Sequence, residues 1–268
     1  MQIFHGLIRM VWCGWLTLGL CAMPGGVEGS GCTDFPDVET ASERYRKRFS
    51  TPVGRWFLER QADFLVDLLR EWPGTSILDI GGGHGQYTRV LVEHGYGVTV
   101  IGSRPETGRL IADLVESGDC RFFAGNLLSL PFPDHSFDIV TSFRLLAHLP
   151  DWRRLVSEAT RVARRAVIMD FPVRRSFNCF YSGLFGLKQY FEHGSARPYT
   201  VFSEAEVRAA FAARGYVLTG RHAQYLLPMV AHRVLNRPGL SRALEEMFER
   251  LGITARFGSP VIARFEPT

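Results

Sequence analysis

Cysteine is scarce in this 268-residue chain: Cys13, Cys21, Cys32, Cys120 and Cys179 form no C-x-x-C pair and keep no regular spacing. An odd, scattered set excludes a disulfide framework and supplies no zinc site, so isolated thiols in a reducing compartment are expected. The eight histidines are equally dispersed, with no H-x-x-x-H pair beside a carboxylate; no metal cofactor is expected. Lysine is almost missing, since all but Lys47 and Lys188 of the 31 basic residues are arginine. The net charge of +4 is too small an excess to be the footprint of a nucleic-acid binder. Internal repeats, low-complexity tracts and linker composition are absent. With 46% hydrophobic and 22% charged residues the composition excludes disorder and a polytopic membrane protein.

What is present begins with an unusual N-terminus. Arg9 precedes an apolar run, Met10–Met23, too short to span a bilayer comfortably. Pro24, Gly25, Gly26, Gly29, Ser30 and Gly31 then break any helix. The order basic, apolar, small-residue is that of a secretory signal peptide, with an interfacial anchor or a start placed too far upstream as alternatives. Residues 1–34 are therefore set apart as an extension, and 35–268 are expected to form one domain. The expected location is cytoplasmic, any peripheral membrane contact arising through the extension.

From about Thr40 the pattern turns regular. Phe57, Leu58, Gln61, Phe64, Leu65, Leu68 and Leu69 recur at helix spacing until Trp72-Pro73-Gly74. Short apolar runs at Ser76–Ile80, Val98–Ile101, Arg121–Ala124, Phe137–Ser142 and Ala166–Asp170 read as strands. The segments Tyr87–His94, Glu106–Glu116 and Trp152–Val162 between them read as helices. Such alternation predicts a parallel sheet with helices on both faces. An aromatic-rich insertion comes next, over 173–202. The capping box Ser203-Glu204-Ala205-Glu206 then opens a helix, Ala205–Arg214. A strand at Tyr216–Tyr225, a helical region from Pro228 to about Leu251 and a last strand, Val261–Phe265, complete the chain.

Asp79-Ile80-Gly81-Gly82-Gly83-His84-Gly85 lies between the first strand and its helix, where an open α/β sheet places its ligand. Alternate glycines let the backbone bend and approach a ligand closely, and the helix N-terminus offers N–H donors. The dinucleotide fingerprint G-x-G-x-x-G fails, because Gly81-x-Gly83 would need glycine at Gln86 and no acid ends the second strand.

D-x-G-x-G-x-G resembles the loop of class I S-adenosylmethionine (SAM) dependent methyltransferases. Further motifs fall in register: Gly125-Asn126-Leu127 after the third strand, the run Leu130-Pro131-Phe132-Pro133-Asp134-His135-Ser136-Phe137-Asp138, and Leu146-Ala147-His148-Leu149. Together they resemble the type 11 branch, which includes the ubiquinone/menaquinone C-methyltransferases. The likeness covers about Ser76–Pro172, and Tyr45 with Phe49–Gly54 resembles the lid that precedes the domain in such enzymes.

The resemblance implies a Rossmann-like α/β fold: a seven-stranded, mostly parallel sheet with helices on both faces and the last strand antiparallel. It implies SAM as cofactor and a small-molecule or lipid-like acceptor. Carried over by position, Asp79 would orient the methionine amino group. Gly81, Gly83 and Gly85 would make room for methionine and ribose, and Asn126 and Leu127 would meet the adenine. Ser142 and Phe143 would line the methyl-transfer face. The family's acid at the end of the second strand, which binds the ribose hydroxyls, is replaced by Gly102, leaving Ser103 one hydroxyl to offer. His148 is the first candidate for a general base, with a capping or packing role as the alternative. Arg144, four residues earlier, shares its face if the segment is helical and would either hold an anionic acceptor or form a surface ion pair. Phe177, Phe180, Tyr181, Leu184, Phe185, Leu187, Tyr190 and Phe191 in the insertion suggest a greasy lid, with packing on the sheet as the alternative. Two function classes are implied: a SAM-dependent methyltransferase, or a protein of that fold that binds without transferring methyl. The oligomeric state is left open.

Overall fold

Ile77, Leu78 and Ile80 are buried on both faces, as the centre of a parallel sheet requires, and they form strand β1 (Ser76–Ile80). The computed structural model describes residues 36–176 and 199–268. Contacts divide the chain into Met1–Thr33 and Asp34–Thr268, and the sheet with its helices makes up the second unit. The N-terminal extension and the aromatic segment 177–198 lie outside the described residues.

Around β1 the sheet adds β2 (Gly97–Gly102), β3 (Cys120–Ala124), β4 (Phe137–Ser142), β5 (Ala163–Phe171), β6 (Tyr216–Ala223) and β7 (Val261–Pro267). The order is β3-β2-β1-β4-β5-β7-β6. β1 to β5 pair in parallel, while β7 runs antiparallel between β5 and β6. The chain leaves β1 toward β2 and returns on the other side at β4, so the strand order reverses between them. That switch point opens a crevice at the carboxyl ends of β1 and β4.

Helices cover both faces. α1 (Asp37–Thr40) and α2 (Glu43–Lys47) precede α3 (Pro52–Leu69), which Thr51 caps by accepting the Gly54 N–H at 3.0 Å. α4 (Thr88–Glu93) and α5 (Ala112–Glu116) come after β1 and β2, and α6 (Trp152–Val162) after β4. α7 (Glu204–Ala212), α8 (Met229–Leu235), α9 (Pro238–Arg250) and α10 (Ile253–Phe257) belong to the C-terminal part. One core layer joins Leu78, Val140, Leu155, Phe171, Phe211 and Phe265, and the other Leu65, Leu69, Leu91, Ile139 and Ile168. No described helix is long and apolar enough to cross a membrane.

Three elements differ from the sequence expectation. The helix expected over Glu106–Glu116 is a tight 3-10 segment, Pro105–Ile111, before α5 begins. There the Thr107 hydroxyl donates back to the Arg104 carbonyl at 2.7 Å, and Gly108 lets the Phe122 ring press against the backbone. β5 starts three residues early, with Arg164 and Arg165 reaching Asp138 at 3.1 and 3.3 Å. The helical region after Pro228 is divided at Asn236, in the left-handed conformation, before Pro238 starts α9.

Candidate functional site

At the switch point the glycine loop is braced from behind. Asp79 is buried; its Oδ2 accepts the Thr88 hydroxyl and its Oδ1 the Thr141 hydroxyl, each at 3.0 Å. Thr88 also reaches the Gly82 carbonyl at 3.0 Å, tying strand, loop and α4 together. Burial pushes the Asp79 carboxyl up to about 6, with both hydroxyl bonds opposing the shift. The carboxylate that the resemblance assigns to the methionine amino group thus also supports the loop.

Gly81 and Gly85 take φ of 76° and 72°, which L side chains rarely adopt, and so turn the chain into and out of the loop. Gly83 has a different reason. A Cβ there would lie 2.0 Å from the Thr107 carbonyl oxygen, so this glycine makes room for the 3-10 segment. Gly102 meets the same residue: its Cβ would lie 1.9 Å from Thr107 Oγ1. His84, inside the loop, is buried and neutral, its pKa driven down to about 3 by burial and by the nearby Arg144 charge. Its Nδ1 accepts the Gln86 N–H at 3.1 Å, which leaves Nε2 carrying a proton with no partner among the described residues. A cavity of about 290 Å³ opens beside it, between Arg46, Phe49, Leu58, Gln86 and Leu110.

On the β4 side the candidate residues are closely packed. Ser142 is buried, and its hydroxyl donates to the Ile80 carbonyl at 3.2 Å. Phe143 is turned into the core, its ring 4.4 Å from that of Tyr87. Both are packed at the carboxyl end of β4. Arg144 has φ of 60°, and the 3-10 turn Leu146–His148 comes directly after. The segment between Arg144 and His148 is not a continuous helix, and the two side chains do not share a face. Arg144 instead donates through Nη2 to Gln61 at 2.7 Å and Tyr87 at 2.8 Å, and through Nη1 to Gln86. Its guanidinium also lies 4.3 Å from the Phe49 ring centre and 5.8 Å from that of Tyr45. The expected lid is thereby pinned over the loop, and the guanidinium organises this wall. The backbone N–H of Arg144 donates to Asp170 Oδ1 at 2.6 Å, and burial raises the Asp170 carboxyl to about 6.

His148 is half-buried, its ring 5.4 Å from that of Tyr199. Asn126 is exposed and folds its Oδ1 back onto the Leu128 N–H at 2.9 Å, while the Leu127 side chain is buried in the core. Ser103 gives its backbone N–H to Asp37 Oδ2 at 2.7 Å, so an acid from α1 reaches the end of β2. Among the described residues, sequence reasoning missed Asp37, His84, Gln86, Tyr87, Thr107 and Asp170 as parts of this site. Asp170, a lone acid closing the apolar run Ala166–Met169, carried a usable signal. Asp37 carried none.

Comparison with known proteins agrees with this geometry. Residues 78–169 match the family described as a methyltransferase domain, type 11. The 2-methyl-6-phytyl-1,4-hydroquinone methyltransferase of Synechocystis is 32% identical over 127 residues, 44% of this chain and 40% of that protein. The demethylmenaquinone methyltransferase of Thermus thermophilus is 32% identical over 114 residues, 40% of this chain and 52% of that one. The matched stretch therefore spans about half or less of these relatives. Among solved structures, magnesium protoporphyrin IX methyltransferase of Synechocystis with bound S-adenosylhomocysteine shares the fold. Its TM-score is 0.59 over 84% of this chain and 94% of that one, at 16% identity.

Proposed function

Because this chain carries a class I methyltransferase domain of the type 11 branch, we propose that it transfers a methyl group from SAM to an apolar small molecule. The observation that carries the reading is the glycine loop at the switch point, braced by Asp79 and carrying buried His84 with its Nε2 proton unpartnered among the described residues. A buried N–H without an acceptor costs stability, which a ligand carboxylate or hydroxyl would recover. The loop therefore fits a nucleoside-amino acid cofactor. Gly81 and Gly85 would border it, and the Leu127 backbone would meet its ring. When bound, SAM supplies a methyl group on a cationic sulfur, open to in-line displacement.

What remains for the protein is positioning, exclusion of water and handling one proton. Phe49, held by Arg144, closes the α2–α3 side of the loop. His148, half-buried beside Tyr199, is the residue we assign to take the acceptor's proton, since imidazole titrates near neutrality. Phe49, which lines the cavity beside His84, favours an apolar acceptor, in keeping with the hydroquinone and quinone substrates in the names of the relatives.

The test is transfer of tritium from methyl-labelled SAM to a prenylated hydroquinone, a sterol or a water-soluble amine. Label in the organic phase with the hydroquinone is the expected result. Tight SAM binding with no label in any acceptor would favour the second reading, binding without transfer, which the replacement of the family's acid by Gly102 makes specific.

A further inference from the structure

β2 ends on a residue that has no room for a side chain. The Cβ that Gly102 lacks would sit 1.9 Å from Thr107 Oγ1, 3.1 Å from Thr107 Cβ and 3.2 Å from Phe122 Cε2. Its carbonyl is already used, accepting the Gly125 N–H at 2.9 Å. An acid cannot be carried at this point by β2 itself.

A carboxylate arrives there from elsewhere in the chain. Asp37, on α1, lies 66 residues earlier, and its Oδ2 accepts the Ser103 N–H at 2.7 Å. Its Cβ is 3.6 Å from where a Cβ of Gly81 would stand. The side chain therefore bridges the first turn of the glycine loop and the end of β2. It is 1% exposed, and its second oxygen, Oδ1, has no hydrogen-bond partner among the described residues. Burial raises the carboxyl's pKa, opposed mainly by hydrogen bonding from Ser103. A buried carboxylate oxygen without a donor is costly, and hydroxyl groups are the donors that would satisfy it.

We propose that Asp37 is the ribose-binding acid of this site: Oδ2 is fixed by Ser103, and Oδ1 accepts a hydroxyl of a nucleoside ribose lying over Gly81. The inference rests on the methyltransferase reading and adds to it a residue outside the matched domain. It makes the segment before the sheet part of the cofactor site.

Calorimetric titration of the full chain with S-adenosylhomocysteine and with its 2′,3′-dideoxy analogue tests it. The wild type should prefer the hydroxyl-bearing ligand by about 10- to 150-fold, the range of a hydrogen bond to a charged group. In Asp37→Ala that preference should collapse, through weaker binding of S-adenosylhomocysteine and unchanged binding of the analogue. Asp37→Asn keeps the shape and an acceptor for Ser103, so it reports even if the alanine variant unfolds; it should show an intermediate preference. Full wild-type preference in Asp37→Asn, or a wild type that binds both ligands equally, overturns the proposal. A wild type that binds neither ligand overturns the methyltransferase reading itself, a result distinct from binding without discrimination.

Discussion

Gly102 and Thr107 interlock: the Thr107 hydroxyl, held by the Arg104 carbonyl at 2.7 Å, fills the space that any side chain at 102 would need. The absence of the family's acid is therefore built into the packing of the 3-10 segment 105–111. Restoring the acid with Gly102→Asp should harm rather than help. Overpacking of this kind costs about 1–3 kcal/mol. The expected outcome is a melting temperature lower by several degrees with no gain in affinity for S-adenosylhomocysteine, read by circular dichroism and calorimetry. A stable variant that binds more tightly would show that the segment yields easily.

The carboxyl of Asp79 gives the fold a pH signature. Burial holds it at about 6, against an ordinary value of 3.8. Between those values the folded chain binds more protons at this group than the unfolded chain does. Its contribution therefore favours the fold as pH falls through 6 and is lost as pH rises through 6. Asp79→Asn removes that titration, so the stability difference between wild type and variant should grow in favour of the wild type by about 1 kcal/mol from pH 7 to pH 5. His84, neutral down to about 3, loses stability over the same range, but it does so in both proteins and cancels. Urea unfolding at the two pH values decides, and a difference that shrinks toward pH 5 would contradict the assignment.

Arg144 is expected to act through the wall it organises. Arg144→Met removes the charged donors to Gln61, Gln86 and Tyr87; the Tyr87 hydroxyl still donates to Gln61, and each lost hydrogen bond to the charged group costs about 1.5–3 kcal/mol. Global stability should fall, and fluorescence of Trp56 on α3 should report a loosened α2–α3 segment. Arg144→Lys should recover little, because an ammonium lacks the planar fork that serves three partners at once. Full rescue by lysine would mean that charge alone is what matters.

His148→Ala should leave the melting temperature nearly unchanged while lowering single-turnover rate by about 100-fold or more, the scale of general base catalysis. The acidic limb of the pH–rate profile should disappear with it. Lost stability with an unaltered profile would make His148 a packing residue.

The sheet was largely legible because its strands are short apolar runs bounded by glycine and proline, and each expected strand is present within a few residues. The glycine loop was legible too, as a motif. Its internal reasons were not: whether Gly83 faces a ligand or the Thr107 carbonyl depends on where the 3-10 segment packs, a tertiary fact. The contacts of Ser142 and Phe143 were not legible for a similar reason. Position at the carboxyl end of β4 does not say that a hydroxyl will bond Ile80 or that a ring will turn toward Tyr87. Arg144 was misplaced because its left-handed backbone breaks the helical spacing that linked it to His148. Asp37 was invisible, since its significance exists only where α1 meets β2.

Binding of SAM at the loop Asp79–Gly85 is tested most directly by calorimetric titration of the full chain with SAM beside a thermal-shift series. A native-state ligand raises stability by about 2.7 kcal/mol at a hundredfold excess over its Kd, so one site with a saturable rise in melting temperature is predicted. A flat titration with no thermal shift at millimolar SAM would contradict the account.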